Sequence, residues 1–462
     1  MEKIVNVVND IVWSPALVFL LIAAGLYFTF CTRCVQLRKF PLMVRLLYGS
    51  RRNGEGTGSS FSSFQAFCVS LSGRVGTGNI IGVATAIALG GPGAVFWMWV
   101  IAFLGASTAF TESALASKYK FSHNGGLRGG PAVYISEGLH APHLARLFAI
   151  LTIAGYGIFL VLVQSNGLAC AIENSFNVKP LVSGAAVAVV LGMVIIGGAT
   201  RIAKVSAAVT PFMAAGYVLM SIIIIAANIR SVPHIFGLIF SSALGVNPVF
   251  GGIFGSTIAM GVKRGLFSNE AGQGGGAIVS ASARVDHPAK QGLVQAFSVY
   301  IDTLLVCTAT ALMILCTGCY NVFDASGNVI AANAPALGNN YILYTQSAID
   351  TVFTGFGGIF VTIALLFFVF TTLMAYYFYA ESSLIFLFRS RRRLGPGGEK
   401  LILRSYQLVM MAAVVIGAIT ASDTVWKMGD IGIGLTAWIN VIALIILFPE
   451  ALALLKDFEG KK

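Results

Sequence analysis

The stretch Ser72-Gly-Arg-Val-Gly-Thr-Gly-Asn79 places glycine and polar residues inside a hydrophobic segment of the chain. A second stretch of this kind, Gly261-Val-Lys-Arg-Gly-Leu-Phe-Ser-Asn-Glu-Ala-Gly272, lies in the other half. Inside a bilayer, a helix can be broken only where protein or a water-filled cavity satisfies the freed backbone N–H and C=O groups. Two such breaks, one in each half, indicate the binding site of a secondary transporter.

The composition indicates a membrane protein. Of the 462 residues, 57% are hydrophobic and 10% are charged, whereas a soluble globular chain has about 25% charged residues. The net charge of +12 could suggest a nucleic-acid partner, but basic loops on one side of a membrane explain it better. Met1 to Asp10 is polar, and no signal-peptide cleavage pattern follows it.

The seven cysteines do not suggest a disulfide framework or a metal site. They are odd in number and scattered along the chain, several of them inside apolar segments. We expect most of them to be small buried side chains. Cys316 and Cys319 lie at a predicted membrane edge and could pair, but we do not expect the bond.

Eleven hydrophobic segments are long enough to cross a membrane, since a helical span needs about 20 mostly apolar residues. The seventh and ninth are too long for one straight helix, and the seventh contains the second break. The predicted spans are 13–31, 62–89, 92–116, 146–171, 180–199, 204–228, 248–283, 291–317, 350–388, 402–421 and 428–454.

Lys and Arg residues are distributed unequally between the loops on the two sides of these spans. One side has most of them, whereas the other has Lys3, Lys179, Arg230 and Lys427. Because basic loops stay in the cytoplasm, we predict a multi-pass plasma-membrane protein with its N-terminus outside, its C-terminus inside and an external loop at 318–349. The predicted cytoplasmic residues are Arg33, Arg38, Lys39, Arg45, Arg51, Arg52, Lys118, Lys120, Arg128, Arg146, Arg201, Lys204, Arg284, Lys290, Arg389, Arg391, Arg392, Arg393, Lys400, Arg404, Lys456, Lys461 and Lys462.

The predicted fold is an all-α polytopic membrane protein built from two inverted repeats of five helices. The chain divides into an extra N-terminal helix with a basic loop (1–61), a first repeat (62–228), an external connection (229–247), a second repeat (248–454) and a cytoplasmic tail (455–462). Because five is an odd number, the second repeat enters the membrane in the opposite sense. Each break lies in the first helix of its repeat, so we expect the site at mid-membrane between the repeats.

A broken helix has free N–H groups at one end and free C=O groups at the other. The N–H groups attract a carboxylate, and the C=O groups coordinate cations such as Na⁺. We predict that Gly76 to Asn79 binds a substrate carboxylate, because its glycines permit close approach and Thr77 and Asn79 add polar groups. A kink without a ligand is the alternative, and two breaks in corresponding positions disfavour it.

Several polar side chains within the spans have two interpretations. Arg74 could bind the substrate carboxylate or pair with a buried acid such as Glu270, and Glu270 could bind a substrate ammonium or satisfy backbone N–H groups. Gln164 and Asn166 could bind a polar ligand or hydrogen-bond neighbouring helices.

The hydroxyl pair Thr371-Thr372 could supply oxygen ligands to a monovalent cation or bond back to its own helix. Lys263 and Arg264 could lie in a gate. Three acids within or near spans could carry protons, although polar packing is the more common role of such groups. These acids are Glu112, Asp302 and Glu381.

Two long motifs resemble the alanine/glycine:cation symporter family. The first is Gly73-Arg-Val-Gly-Thr-Gly-Asn-Ile80 with Gly82-Val-Ala-Thr-Ala-Ile87 and Gly90-Gly-Pro-Gly93, and the second is Arg264-Gly-Leu-Phe-Ser-Asn-Glu-Ala-Gly272. The likeness covers about residues 12 to 454, including Val163-Gln-Ser-Asn166. It implies a LeuT-like fold of ten core helices plus one N-terminal helix, and sodium-driven uptake of small amino acids, mainly alanine and glycine.

The resemblance also implies the binding residues. Sodium would be the co-transported cation, with no other cofactor, and would lie between backbone carbonyls near Gly73 and Gly76 and the hydroxyls of Thr371 and Thr372. The substrate would contact Thr77, Gly78, Asn79, Gln164, Phe267, Ser268, Thr372 and Tyr376.

Three positions depart from the usual family pattern. Tyr376 stands where the family usually has Trp, and Gln273 where it usually has an apolar residue, often Met. Gly274-Gly-Gly-Ala277 stands where the family tends to Gly-Ser-Ala-Pro. A smaller ring with a hydroxyl enlarges and polarises that wall, so a more polar amino acid such as serine or glutamine is an alternative substrate.

Other functional classes fit the sequence less well. Two broken helices favour alternating access over a passive amino-acid channel. The chain contains no HExxH, GxSxG or GxxxxGK[ST] motif, so we expect neither an enzyme nor an ATP-driven pump. Proton coupling stays open as an alternative to sodium coupling, because acids are available in the spans.

Overall fold

The computed structural model describes residues 2–53, 60–389 and 396–460. The predicted cytoplasmic residues Arg391, Arg392, Arg393, Lys461 and Lys462 lie outside the described residues. The α-helices are α1 Glu2–Val12, α2 Pro15–Cys31, α3 Val35–Arg38, α4 Phe40–Asn53, α5 Ser63–Arg74, α6 Ile81–Gly90, α7 Ala94–Lys118, α8 Pro131–Glu137, α9 Pro142–Ala154, α10 Leu160–Phe176, α11 Pro180–Ile195, α12 Gly198–Ala227, α13 Val232–Ala243, α14 Phe254–Asn269, α15 Gly275–Ala281, α16 Pro288–Val299, α17 Thr308–Thr317, α18 Tyr341–Asp350, α19 Gly357–Arg389, α20 Pro396–Ile419 and α21 Ser422–Gly460.

Two small antiparallel hairpins and short helical turns complete the fold. Strand β1 (Lys120–His123) pairs with β2 (Gly126–Gly129), and β3 (Asn321–Phe323) pairs with β4 (Val329–Ala332). The 3₁₀ turns are Thr77–Asn79, Ile229–Ser231, Gly251–Ile253 and Pro335–Leu337, and the π-helical segments are Gly155–Phe159 and Tyr300–Cys307.

Among the described residues, eight helical stretches are long and apolar enough to cross a membrane, which fits a polytopic membrane protein. They coincide with eight of the predicted spans. Predicted span 180–199 falls on α11, which has 16 residues, and spans 62–89 and 248–283 fall on helices that are interrupted. The total of eleven spans therefore stays a prediction. The eight stretches are Lys3–Cys31, Ala94–Lys118, Pro142–Phe176, Gly198–Ala227, Pro288–Thr317, Gly357–Arg389, Gly397–Ile419 and Ser422–Gly460.

The two interrupted helices lie side by side and run in opposite directions. At one end, Phe61 N–H donates to Ser282 C=O (3.0 Å) and Arg284 N–H donates to Phe61 C=O (2.9 Å), which joins the start of α5 to the end of α15. At the other end, the Thr257 hydroxyl donates to Gly90 C=O (2.7 Å), which joins α14 to the end of α6. The two breaks consequently meet in the interior.

The second break begins later than the glycine pattern suggests. Helix α14 continues through Gly261 and Gly265 to Asn269, so the break is confined to Glu270–Gly274. Gly261 packs closely against α7, since a Cβ there would lie 2.5 Å from Trp97 Cβ, and Gly265 packs equally closely on Ile101. These two glycines permit close helix packing, whereas the positive φ angles of Gly272 (86°) and Gly274 (97°) belong to the break itself.

Two π-helical segments flank the breaks. Gly155–Phe159 joins α9 to α10, and Tyr300–Cys307 joins α16 to α17. A π-helical turn inserts a residue into a helix and is frequent at functional sites. Here the two segments place Tyr156 and Asp302 beside the breaks.

Candidate functional site

The C-terminal end of α5 exposes backbone carbonyls to a hydroxyl from α19. Thr372 Oγ1 lies 2.8 Å from Ser72 O, 3.1 Å from Val75 O and 2.8 Å from Phe368 O. One hydroxyl proton can satisfy one of these oxygens well at a time. The group is therefore rich in oxygen acceptors. We call it the carbonyl cluster, and it consists of the carbonyls of Ser72, Val75 and Phe368 with the Thr372 hydroxyl.

The other residues predicted to bind sodium differ in whether they lie close to this cluster. A Cβ at Gly76 would lie 2.9 Å from Thr372 Oγ1, and Gly73 lies against the Tyr379 hydroxyl. Thr371 faces elsewhere, because its hydroxyl lies 3.0 Å from Phe367 O, one turn back on its own helix. The structure thus brings Gly73, Gly76 and Thr372 together and leaves the Thr371 hydroxyl apart.

The first break itself is a short turn held by side chains. Gly76 N–H donates to Asn79 Oδ1 (2.9 Å), and Thr77 N–H donates to Gln164 Oε1 (3.0 Å) from α10. The Thr77 hydroxyl is buried and has no partner. Because a buried hydroxyl without a hydrogen bond is costly, it is a candidate to bind a polar ligand.

Asp302 joins the two breaks through its carboxylate. Asn79 Nδ2 donates to Asp302 Oδ1 (2.7 Å), and the Ser268 hydroxyl donates to Asp302 Oδ2 (2.8 Å). Thr303 supplies a third donor at 2.7 Å. Asn79 and Ser268, both predicted to contact substrate, thus use their side chains to hold the breaks together.

The second break is bridged by Gln273, one of the three departures from the family pattern. Its amide Nε2 donates to Leu266 O (2.6 Å), and its Oε1 accepts from the Tyr156 hydroxyl (3.0 Å). Asn440 Nδ2 donates to Gly272 O at 2.9 Å. Side chains therefore hydrogen-bond to backbone carbonyls within and beside the interruption, which helps to satisfy its buried backbone.

Aromatic side chains form the wall between the breaks. The Tyr376 ring lies 5.1 Å from the Tyr156 ring, and its hydroxyl is close to Gln164 and Glu270. The Phe267 ring packs on the first break, since a Cβ at Gly78 would lie 3.0 Å from it. Among the predicted substrate residues, the structure brings together Thr77, Gly78, Gln164, Phe267, Thr372 and Tyr376.

The family model described as "Sodium:alanine symporter family" matches residues 1–462. The chain belongs to the sodium:alanine symporter family. It is 46% identical to a "Putative sodium/proton-dependent alanine carrier protein" (YrbD) of Bacillus subtilis, over 100% of this chain and 93% of that protein. It is 38% identical to the "Probable sodium/glutamine symporter" (GlnT) of the same organism, over 100% of this chain and 91% of that protein. It is 35% identical to the "Sodium/alanine symporter" (AgcS) of Methanococcus maripaludis, over 99% of this chain and 97% of that protein.

In this sodium:alanine symporter family member, a cavity of about 430 Å³ extends toward the first break. It is lined by residues that include Ile81 and Gly167 at the break and Arg264 and Asp430 beside it. Asp430 Oδ2 lies 2.8 Å from Arg264 Nη2 and 2.7 Å from Lys263 Nζ. All three side chains are largely buried, so this is a desolvated charge cluster rather than a surface ion pair.

Two aromatic rings flank Arg264 in that cluster. Its guanidinium lies 5.0 Å from the Trp426 ring and 5.5 Å from the Phe267 ring. These distances are within the range of cation–π attraction. Arg264 and Trp426 line the cavity, whereas Phe267 packs on the first break.

Other polar residues identified in the sequence have helix-packing partners. Asn166 Nδ2 donates to Gly417 O and Thr420 O of the α20 region, and Glu381 pairs with Arg128. Arg74 donates to Gln295 O and to the Ser298 hydroxyl of α16, and not to Glu270, which was one of its possible partners. In the part of the chain that the structure describes, no two cysteines form a disulfide bond.

Sequence reasoning did not single out Asp430, Tyr379 or Tyr156 as residues near the site. For Asp430 a signal exists, because an acid inside the predicted span 428–454 needs a partner. Tyr379 also has one, because it lies seven residues after Thr372 and therefore on the same helix face. Tyr156 has none, since its position depends on the π-helical segment.

Proposed function

We propose that the protein is a sodium-coupled symporter that carries alanine or a similar small neutral amino acid into the cell. The carbonyl cluster at the end of α5 supports this proposal most directly. It offers several uncharged oxygens beside a turn whose Thr77 hydroxyl lacks a partner. Membership of the sodium:alanine symporter family supports the same cation and substrate.

In the proposed loaded state, sodium binds at the carbonyl cluster and the amino acid binds at the neighbouring turn. The carbonyls near Gly73 and Gly76 and the Thr372 hydroxyl would coordinate the ion, and Thr371 would join only if its side chain rotated. The substrate carboxylate would meet the Thr77 hydroxyl and the turn from Gly76 to Asn79. Gln164, Phe267 and Tyr376 would surround its side chain, while Ser268 and Asn79 position the turn through Asp302.

Coupling between the two ligands follows from their charges. A sodium ion or a carboxylate alone loses water on entering a buried site, and this cost is large when no opposite charge is near. Bound side by side, each ligand offsets the desolvation of the other. The amino acid should therefore bind tightly only with sodium present, which is what symport requires.

The proposed transport cycle alternates access between two inverted five-helix repeats of LeuT-like type, residues 62–228 and 248–454. The antiparallel alignment of the interrupted helices supports this division. We assign the 430 Å³ cavity to the external side, with the N-terminus outside and the C-terminus cytoplasmic, because Lys and Arg are concentrated in the opposite loops. The Arg264–Asp430 pair would then be part of an outer gate.

A more polar substrate is the second candidate, favoured by specific observations. The Tyr376 hydroxyl faces Gln164 and Glu270, and Gln273 adds an amide behind the wall. One relative is named as a probable sodium/glutamine symporter. Serine or glutamine would fit such a wall better than alanine does.

Uptake of radiolabelled alanine into proteoliposomes tests the proposal. We expect accumulation above equilibrium with an inward sodium gradient, and competition by unlabelled serine and glutamine measures the polar alternative. Accumulation driven by an imposed pH gradient but not by a sodium gradient would show that uptake is coupled to protons and not to sodium. Equilibration without accumulation would indicate a passive channel.

A further inference from the structure

Glu270 is a buried acid with few hydrogen-bond donors. It lies in the second break with a left-handed backbone (φ 55°) and is 1% exposed. Its Oε2 accepts from the Tyr379 hydroxyl at 3.3 Å, and its Oε1 has no partner. Asp302, by contrast, accepts from three side chains. Hydrogen bonds stabilise the charged form of a carboxyl group, and the Glu270 carboxyl group accepts fewer of them than that of Asp302.

The charges around Glu270 do not balance. Among the described residues that face it, Arg74 carries the positive charge, and its buried Nε and Nη2 have no hydrogen-bond partner. If Asp302 carries the negative charge that offsets Arg74, a second ionised carboxylate has no counter-charge. The titratable and charged groups facing Glu270 are Arg74, Glu112, Tyr156, Asp302, Tyr376 and Tyr379.

Tyr379 connects Glu270 with the carbonyl cluster. It lies two turns after Thr372 on the same face of α19, and its hydroxyl packs against Gly73 in the last turn of α5. The same hydroxyl donates to Glu270. A sodium ion at the cluster would therefore bring the missing positive charge near Glu270.

We propose that Glu270 is a proton-binding site whose proton competes with the sodium ion. This inference rests on the sodium-coupled function proposed above. Without sodium, a proton neutralises the carboxylate. With sodium bound, the cation offsets the carboxylate and the proton leaves. Reciprocity of linked binding then requires that a lower pH weakens sodium binding.

Alanine binding to the purified full chain at varied sodium concentration tests the inference. As the pH is lowered from about 8 to about 6, the sodium concentration for half-maximal alanine binding should rise by about fivefold, because the shift reports protonation of the site. Glu270→Gln, which resembles the protonated form, should require high sodium at every pH. The matched control is Glu112→Gln, an equally buried acid that does not contact Tyr379, and it should keep the pH effect.

The possible outcomes separate this inference from the proposed function. Absence of sodium-dependent alanine binding at any pH would refute the function itself. Sodium-dependent binding that ignores pH, or a pH effect that persists in Glu270→Gln, would refute only the proton site. If Glu270→Gln binds no alanine, Glu270→Asp decides the question. Its shorter carboxyl should shift the pH of the transition, and an unshifted transition would overturn the proposal.

Discussion

Thr371 and Thr372 have the same side chain and adjacent positions, yet their hydroxyls have different surroundings. The Thr372 hydroxyl faces carbonyls from the end of α5 as well as one from its own helix. The Thr371 hydroxyl bonds back to Phe367 and Phe368 and touches Met213 Sδ at 3.5 Å. The rotation of α19 about its axis decides which threonine can serve a cation bound at the break.

We expect Thr372→Ala to raise the sodium concentration for half-maximal alanine uptake by about tenfold. The variant removes one sodium ligand, and a loss of about 1.4 kcal/mol of binding free energy weakens binding tenfold. Thr372→Ser should restore the wild-type value, because it keeps the hydroxyl. Thr371→Ala is the control and should change the value by less than about threefold, because a back-bonded hydroxyl contributes little. Equal effects of the two alanine variants would contradict the assignment.

At this scale the sequence predicts which residues gather at the site better than it predicts what each one does. The motif residues Thr77, Gln164 and Phe267 could be named because polar groups and glycine do not otherwise belong in an apolar span. The roles of Asn79 and Ser268 as donors to Asp302 could not, because that carboxylate reaches them from a π-helical segment more than 30 residues away.

The two interrupted helices differ in how well their bounds could be predicted. The first break, from Val75 to Ile80, lies close to its predicted place because its glycines cluster there. The second was predicted too early, since Gly261 and Gly265 turned out to serve helix packing. Glycine alone does not distinguish the two uses, because close helix packing and a backbone with positive φ both favour a residue without a side chain.

Gln273 should be important to the stability of the second break. We expect Gln273→Leu to lower the unfolding temperature in detergent, because it leaves the buried Tyr156 hydroxyl without its acceptor at a cost of about 1–3 kcal/mol. Tyr156→Phe removes the same hydrogen bond from the other side. The double variant should therefore be less destabilised than the two single effects added together, whereas simple additivity would show that the two residues act independently.

At the scale of the whole molecule, we expect the buried ion pairs near the cavity to contribute more to transport than the exposed ion pairs do. Asp430 is 2% exposed and contacts both Lys263 and Arg264. Asp423 lines the same cavity, but its side chain is 66% exposed and pairs with Lys427. The first arrangement is desolvated and the second is in water, which provides a matched comparison.

We expect Asp430→Asn to reduce sodium-driven alanine uptake by at least about tenfold, because loss of one partner from a buried pair typically costs about 3–5 kcal/mol. Asp423→Asn should remain within about twofold of wild type, since exposed pairs contribute about 0–1 kcal/mol. Alanine binding measured in parallel should be affected less than uptake in Asp430→Asn. Normal transport by this variant would contradict the proposed role of the Arg264–Asp430 pair in the outer gate.

The proposed orientation can be tested with reporter fusions. A phosphatase that is active only outside the cytoplasm should be inactive when fused after Lys462 and active when inserted in the 318–349 loop, because Lys and Arg cluster on the side of the C-terminus. A cytoplasmic fluorescent reporter at the same two positions should give the opposite pattern and serves as the control. A phosphatase active at the C-terminus would contradict the proposed orientation and would place the cavity on the cytoplasmic side.

Because the two interrupted helices are antiparallel, their four halves form two pairs. The Phe61 backbone hydrogen bonds tie α5 to α15 at one end, and the Thr257 hydroxyl ties α14 to α6 at the other. The two breaks, 75–80 and 270–274, connect one pair to the other, and they bend more easily than a continuous α-helix. In the proposed cycle of alternating access, each pair would move as a stiff lever, so that one entrance opens while the tie at the opposite end holds.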